Sequence, residues 1–197
     1  LRKNIESNLF KEIVVFTEGK RLPKEFNDKV TLVNIGKRLT FKYAFEYANQ
    51  HYKDNIIVFS NNDIQYNETL NTLEHYDMDN KFLALLRYDI LKDGNVKRFN
   101  RYFDSQDSWI VKTPIKIPKK SDFYFGIMGC NGELVKLMLE EGYQVSNPCE
   151  DVKILHLHNS NIRTYKDKQK IGKHGEYVGI FPSKLLNRNE SARLILF

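Results

Sequence analysis

The chain has 197 residues, 41% hydrophobic and 13% aromatic, and carries a formal net charge of +6. That size and apolar content fit one folded domain with its own core and exclude a disordered chain. The longest apolar runs fall far short of the ~20 residues that a membrane span needs, so no membrane span is expected.

Cys130 and Cys149 are the only two cysteines, too few for a disulfide framework or a zinc site. They are expected to be reduced, buried thiols. The sequence opens at Leu1 with no signal-peptide pattern. It reads as a single domain over residues 1–197, cytoplasmic (or in a host cytoplasm if viral), and the missing initiator Met leaves open that it is cut from a longer protein. Basic residues gather at Lys112, Lys116, Lys119 and Lys120, and again at Arg163, Lys166, Lys168, Lys170 and Lys173. Such clusters attract phosphate, and a solvated lysine-rich surface explains them equally well. No zinc-finger spacing, stacking-aromatic motif or sustained basic helix points to nucleic acid, which is not expected as a partner.

In chain order, Ile13-Val14-Val15-Phe16 and residues 30–35 read as two strands, the second closed by Gly36. Phe41, Ala44, Phe45 and Ala48 recur at the spacing of an amphipathic helix over residues 40–52. Residues 55–59 then read as a strand whose four consecutive apolar residues, Ile56 to Phe59, are β-branched or aromatic, the pattern of a central strand buried on both faces in a parallel sheet. Asn67 is a candidate N-cap for a short helix carrying Leu70 and Leu73, and residues 82–86 predict another buried strand. The alternation indicates an α/β protein with a largely parallel sheet. The second half is less regular: a strand over residues 108–111, a helix over 133–141 stopped by Gly142, and a strand over 154–158 with period-2 alternation. Residues 177–181 are a last apolar run.

The run 55–59 ends abruptly in Ser60-Asn61-Asn62-Asp63-Ile64, a turn-forming polar cluster. Ligands of open α/β sheets bind at the carboxyl ends of strands, and a carboxylate among amides there suits a hard divalent cation carrying phosphate oxygens. The alternative is that Asp63 only caps a following helix. Gln106-Asp107-Ser108-Trp109 sets a carboxylate beside the one tryptophan, whose ring could stack on a sugar. Residues 122–131 run from Asp122 through aromatics into Gly126 and Gly129, where backbone can approach a ligand closely before a helix N-terminus. His156 and His158 alternate on one strand, so a regular strand directs both to the same side. If only one binds metal the strand must end or twist between them, and His158, nearer the Asn159-Ser160 turn, is favoured.

The ordered set resembles a bacterial and viral group of GT-A-fold glycosyltransferase-like proteins. It comprises Gly36-Lys37-Arg38, Ser60-Asn61-Asn62-Asp63, Arg87-Tyr88-Asp89, Gln106-Asp107-Ser108-Trp109 and Asp122-Phe123 with Gly126, Gly129 and Cys130. Gly142-Tyr143-Gln144-Val145-Ser146-Asn147-Pro148 and His156-Leu157-His158 with Arg163 and Tyr165 complete it. The resemblance implies a GT-A fold with a mostly parallel, helix-flanked sheet, and metal-dependent transfer of a hexosyl-type sugar from a UDP- or GDP-sugar to a glycan or other hydroxyl acceptor. It implies Mn²⁺ or Mg²⁺ held by Asp63 with His158 or His156. Thr17, Arg38, Asn61, Asn62, Arg87, Asp89, Asp122, Gly129 and Asn131 would contact the donor. Asp107, and Glu133 after it, are the candidate general bases. Two departures stand out: Asn61-Asn62-Asp63 offers one carboxylate where DXD motifs offer two, and Gly129-Cys130-Asn131-Gly132 replaces the group's Gly-Cys-Asp-Asn. Both leave open a catalytically weak or inactive domain that only binds sugar nucleotide or glycan.

Overall fold

A computed structural model of the chain describes residues 1–19, 29–100, 105–156, 171 and 178–185, and the backbone of 195–196. A short helix, α1 (Arg2–Glu6), precedes two parallel strands, β1 (Ile13–Thr17) and β2 (Val30–Asn34). Helix α2 (Phe41–His51) begins at Thr40, whose hydroxyl accepts from the Tyr43 N–H. Its buried face is Phe41, Ala44, Phe45 and Ala48, as the spacing predicts. Then come β3 (Ile56–Ser60), β4 (Ile64–Tyr66) and a 3-10 helix (Glu68–His75) capped by Asn67, which accepts from the Thr69 N–H. β5 (Lys81–Leu85), β6 (Arg87–Ile90), β7 (Val96–Arg98) and β8 (Ser108–Lys112) follow. Helix α3 (Cys130–Glu140), β9 (Gln144–Ser146), β10 (Ile154–His156), β11 (Val178–Gly179) and β12 (Ile195–Leu196) complete the order.

The strands form two four-stranded sheets, β3-β8-β5-β9 and β4-β10-β6-β7, and two pairs, β1-β2 and β11-β12. In the first sheet β8 runs antiparallel to both β3 and β5, while β9 is parallel to β5. In the second, β10 is antiparallel to β4 and parallel to β6, and β6-β7 is an antiparallel hairpin. The expected mostly parallel GT-A sheet is therefore overturned: most pairings are antiparallel and the described helices are few and short. The apolar runs misled because burial on both faces, not strand direction, erases the period-2 pattern.

That double burial is visible in β5 and β8. Phe82, Ala84, Trp109 and Val111 pack with α2 and α3 in one core. Their neighbours Leu83, Leu85 and Ile110 enter a second core with Ile64, Tyr66, Leu70, Leu73, Val152 and Ile154. Alternate residues thus serve opposite faces of one sheet. β3, expected to be central, is instead an edge strand of this sheet, and Ile56 is 41% exposed while Phe59 is buried.

Three chain segments pass from the first sheet to the second, β9 reaching β10 through residues 147–153 and the other two by shorter links. β3 continues through the turn at residues 61–63 into β4, and β5 continues through a single residue, Leu86, into β6. Leu86 is fully buried, and its N–H donates to Asn147 Oδ1 (3.0 Å), so the elbow is pinned from β9's side. The candidate site lies where the sheets part.

Candidate functional site at the junction of two sheets

The pairing register builds the site. His156, the last residue of β10, stands opposite Ile64 of β4 and Asp89 of β6. Asp63 immediately precedes Ile64, so the ring lies between two carboxylates: Nδ1 is 3.0 Å from Asp89 Oδ1 and Nε2 is 3.2 Å from Asp63 Oδ2. Asp63 leads into a strand rather than a helix, and Asn67 caps the helix further on, which removes the helix-cap alternative.

On the other side, Asn61 N–H donates to the Asp107 carbonyl and Asp107 N–H to the Leu85 carbonyl, each at 3.0 Å. These bonds continue the β3-β8-β5 ladder one step beyond the strands and fix Asp107 beside the turn. Its side chain accepts from Asn61 Nδ2 at Oδ1 (2.9 Å) and from Arg87 Nη1 at Oδ2 (3.0 Å). Arg87 Nε also donates to Asp89 Oδ1 (2.9 Å). Arg87 and Asp89 share a face of β6 because they are two residues apart. The polar contacts close a ring: Asn61, Asp107, Arg87, Asp89, His156, Asp63, and back through the turn.

Three carboxylates face one guanidinium and one imidazole here, so among the described residues the cluster stays negative even with His156 charged. Burial alone would lower the His156 pKa, but the hydrogen bond to Asp63 and the nearby carboxylates outweigh it, and the pKa is raised. Burial likewise pulls down on Arg87, and Asp107 and Asp89 more than restore it.

The imidazole poses a bonding problem. Asp89 Oδ1 can only accept, so Nδ1 carries the hydrogen. A neutral ring then turns a lone pair at Nε2 toward another carboxylate oxygen. The contact is favourable only if a proton or a cation lies between them. A hydrogen bond from Nδ1 to a carboxylate is also the usual support of a metal-binding imidazole. Among the described residues no three His, Cys, Asp or Glu side chains form a ready metal cage. Asp63 and His156 as a pair suit a Mg²⁺- or Mn²⁺-like ion that draws its remaining ligands from water and phosphate. The donor set fits such a cation. His158, the favoured second ligand, lies outside the described residues, as do Arg163 and Tyr165.

The other expected residues are distributed unevenly. Asn62 is exposed in the turn itself. Arg38 Nη2 donates to the Phe125 carbonyl (2.8 Å) and its guanidinium lies 5.8 Å from the Tyr124 ring centre, which ties it to the 122–129 loop. Gly129 (φ 88°) precedes α3 in the left-handed region, where a side chain would be strained. Asn131 Oδ1 accepts from the Cys130 thiol (3.1 Å), and Glu133 lies half-buried in the first turn of α3. Asp122 is exposed on the loop before Phe123, and the Thr17 hydroxyl at the end of β1 accepts from the Gly19 N–H (3.2 Å).

Trp109 corrects one expectation. It is fully buried, edge-on to Phe41 (ring centres 5.1 Å apart) and packed against Phe125, so its ring cannot stack on a sugar. Ser108, the residue beside it, faces the other way and meets the Tyr66 hydroxyl (2.6 Å), while Asp107 precedes the strand and its side chain is held by Asn61 and Arg87. Cys130 and Cys149 are free and buried, as expected, and burial pushes each thiol up to about 11. Sequence reasoning gave Arg87 and Asp89 to the donor, yet both are engaged with other side chains of the cluster. The Arg-x-Asp spacing on a strand was the available signal. No family model matches this chain, and neither a curated protein nor a solved structure does.

Proposed function

We propose that this chain transfers a sugar from a nucleotide-diphospho-sugar to a hydroxyl acceptor, at the cluster formed by Asn61, Asp63, Asp89, Asp107 and His156. The observation that carries the reading is the His156 ring held between Asp89 and Asp63, 3.0 Å and 3.2 Å away. The ordered motifs support it too: Ser60-Asn61-Asn62-Asp63, Arg87-Tyr88-Asp89, Gln106-Asp107 and His156 lie far apart in sequence and meet at one place. The reading rests on the site, since fold alone does not imply function.

In this mechanism Asp63 and His156 would hold a divalent cation, Mn²⁺ or Mg²⁺. When bound, that cation supplies charge stabilisation for the leaving diphosphate. Asp89 holds the imidazole in the tautomer that presents Nε2. Asn61, the exposed Asn62 and the backbone of their turn are the groups nearest Asp63 for orienting the donor. Transfer with inversion also needs a carboxylate to take the acceptor proton. Asp107 is that group in this reading, with Glu133 second; each Asp107 oxygen keeps a lone pair beyond the one taken by Asn61 or Arg87.

A second reading is a domain that binds sugar nucleotide or glycan with little or no turnover. Both Asp107 oxygens are already hydrogen-bonded, and Asn131 stands where the pattern of the resembled glycosyltransferase-like group has an acid. Hydrolysis of a panel of UDP- and GDP-sugars, with Mn²⁺ and with EDTA, separates the two. Metal-dependent release of the nucleoside diphosphate supports transfer. Metal-dependent binding with no release supports the second reading, and binding of neither donor class contradicts both.

A further inference from the structure

Arg87 touches both arms of the cluster. Nε reaches Asp89, which fixes His156 Nδ1; Nη1 reaches Asp107, which fixes the Asn61 side chain two residues from Asp63. One guanidinium is therefore linked to His156 through Asp89, and to Asp63 through Asp107, Asn61 and the turn. The planar fork is suited to this, because its donors leave in fixed directions.

Phe99 adds a second observation. Its ring centre lies 3.9 Å from the Arg87 guanidinium carbon, stacking distance, and its N–H donates to the Arg87 carbonyl (3.2 Å). Phe99 directly follows β7, so the β6-β7 hairpin folds an aromatic ring over the hub. A stacked ring keeps water off one guanidinium face and restricts its rotation.

We infer that Arg87 is a positioning residue, not a ligand of the donor: with Phe99 stacked on it, Arg87 spaces Asp63 and His156 for a divalent cation before any nucleotide arrives. This rests on the reading of Asp63 and His156 as a cation site. It separates two roles a basic residue can have beside a diphosphate. A donor contact acts only when phosphate is present, whereas a positioning residue acts on the cation alone.

The test is binding of Mn²⁺ without nucleotide, followed by electron paramagnetic resonance of the free ion, in the full chain and in Arg87→Lys and Phe99→Leu variants. Lysine keeps the charge but cannot serve both carboxylates in the same geometry. Arg87→Lys is expected to weaken Mn²⁺ binding at least tenfold, with the circular dichroism spectrum unchanged. Phe99→Leu, which leaves every polar partner in place, is expected to weaken it several-fold, and it decides the matter if Arg87→Lys does not fold. Wild-type Mn²⁺ affinity in a folded Arg87→Lys protein, or in Phe99→Leu, overturns the positioning role while leaving the cation site standing. Failure of the unaltered chain to bind Mn²⁺ at all removes the cation site and this inference with it.

Discussion

The two four-stranded sheets use the same chain in opposite ways. In β3-β8-β5-β9 the central strands β5 and β8 are apolar on both faces, and their alternate residues feed two cores. In β4-β10-β6-β7 the central strands β6 and β10 carry Arg87, Asp89 and His156, held together by charge and hydrogen bonds. The first sheet gains from non-directional burial, which tolerates small shifts. The second depends on register: displacing β10 by one residue against β6 would move His156 away from Asp89 and break the ring. The apolar sheet thus hands β3 and β5 on to one that carries a polar cluster, and that cluster sits at the handover.

That contrast predicts a graded set of responses. Trp109→Ala should be the most damaging change, costing about 3–5 kcal/mol in denaturant unfolding, because it leaves a large cavity between α2 and the sheet. A loss near 1 kcal/mol would mean the first sheet is less tightly packed than described.

Asp107→Asn belongs to the second sheet's side of the comparison. The amide can accept from only one of Asn61 and Arg87 and turns its NH₂ toward the other, so stability should fall by about 1–3 kcal/mol. If Asp107 is also the base, transfer should fall roughly 10²-fold or more while donor binding is kept. Retained transfer would move the assignment to Glu133. Loss of donor binding as well would make Asp107 a binding residue.

At the edge of the first sheet the expected effect nearly vanishes. Ile56→Thr should change stability by no more than about 0.5 kcal/mol, since the side chain is 41% exposed and threonine suits a strand. A loss above about 2 kcal/mol would restore Ile56 to the buried, central place that the apolar run alone suggests.

The same contrast explains what could be read from the sequence. The α2 face, the Asn67 cap, the strand runs around Ile13, Val30, Phe82 and Ser108, and the stop at Gly142 are local patterns of spacing and turn chemistry, and the structure keeps them. β4, β7 and β9 have three residues each, too few for a period to declare itself. Strand direction was misjudged because a doubly buried strand looks alike in parallel and antiparallel sheets.

At the site, residue type was legible and contact was not. Asp63 and the His156-Leu157-His158 pair were singled out by their chemistry, with His158 favoured, but the meeting of Asp63 with His156 spans 93 positions and depends on the β4-β10 register. Arg87 gave no sign of bridging two acids, because nothing local to Arg87-Tyr88-Asp89 announces Asp107. Trp109 erred in the other direction: Asp107, two residues earlier, suggested a ligand face, while the ring packs into the core against Phe41 and Phe125.

The central claim is that Asp63 and His156 together hold the cation that receives the donor diphosphate. Calorimetric titration of UDP and of GDP into the chain, with Mn²⁺ and with EDTA, tests it most directly, repeated with Asp63→Ala and His156→Ala. The account predicts nucleotide binding that requires Mn²⁺ and is lost in both variants, with each still folded. Mn²⁺-dependent binding that survives unchanged in Asp63→Ala would contradict it.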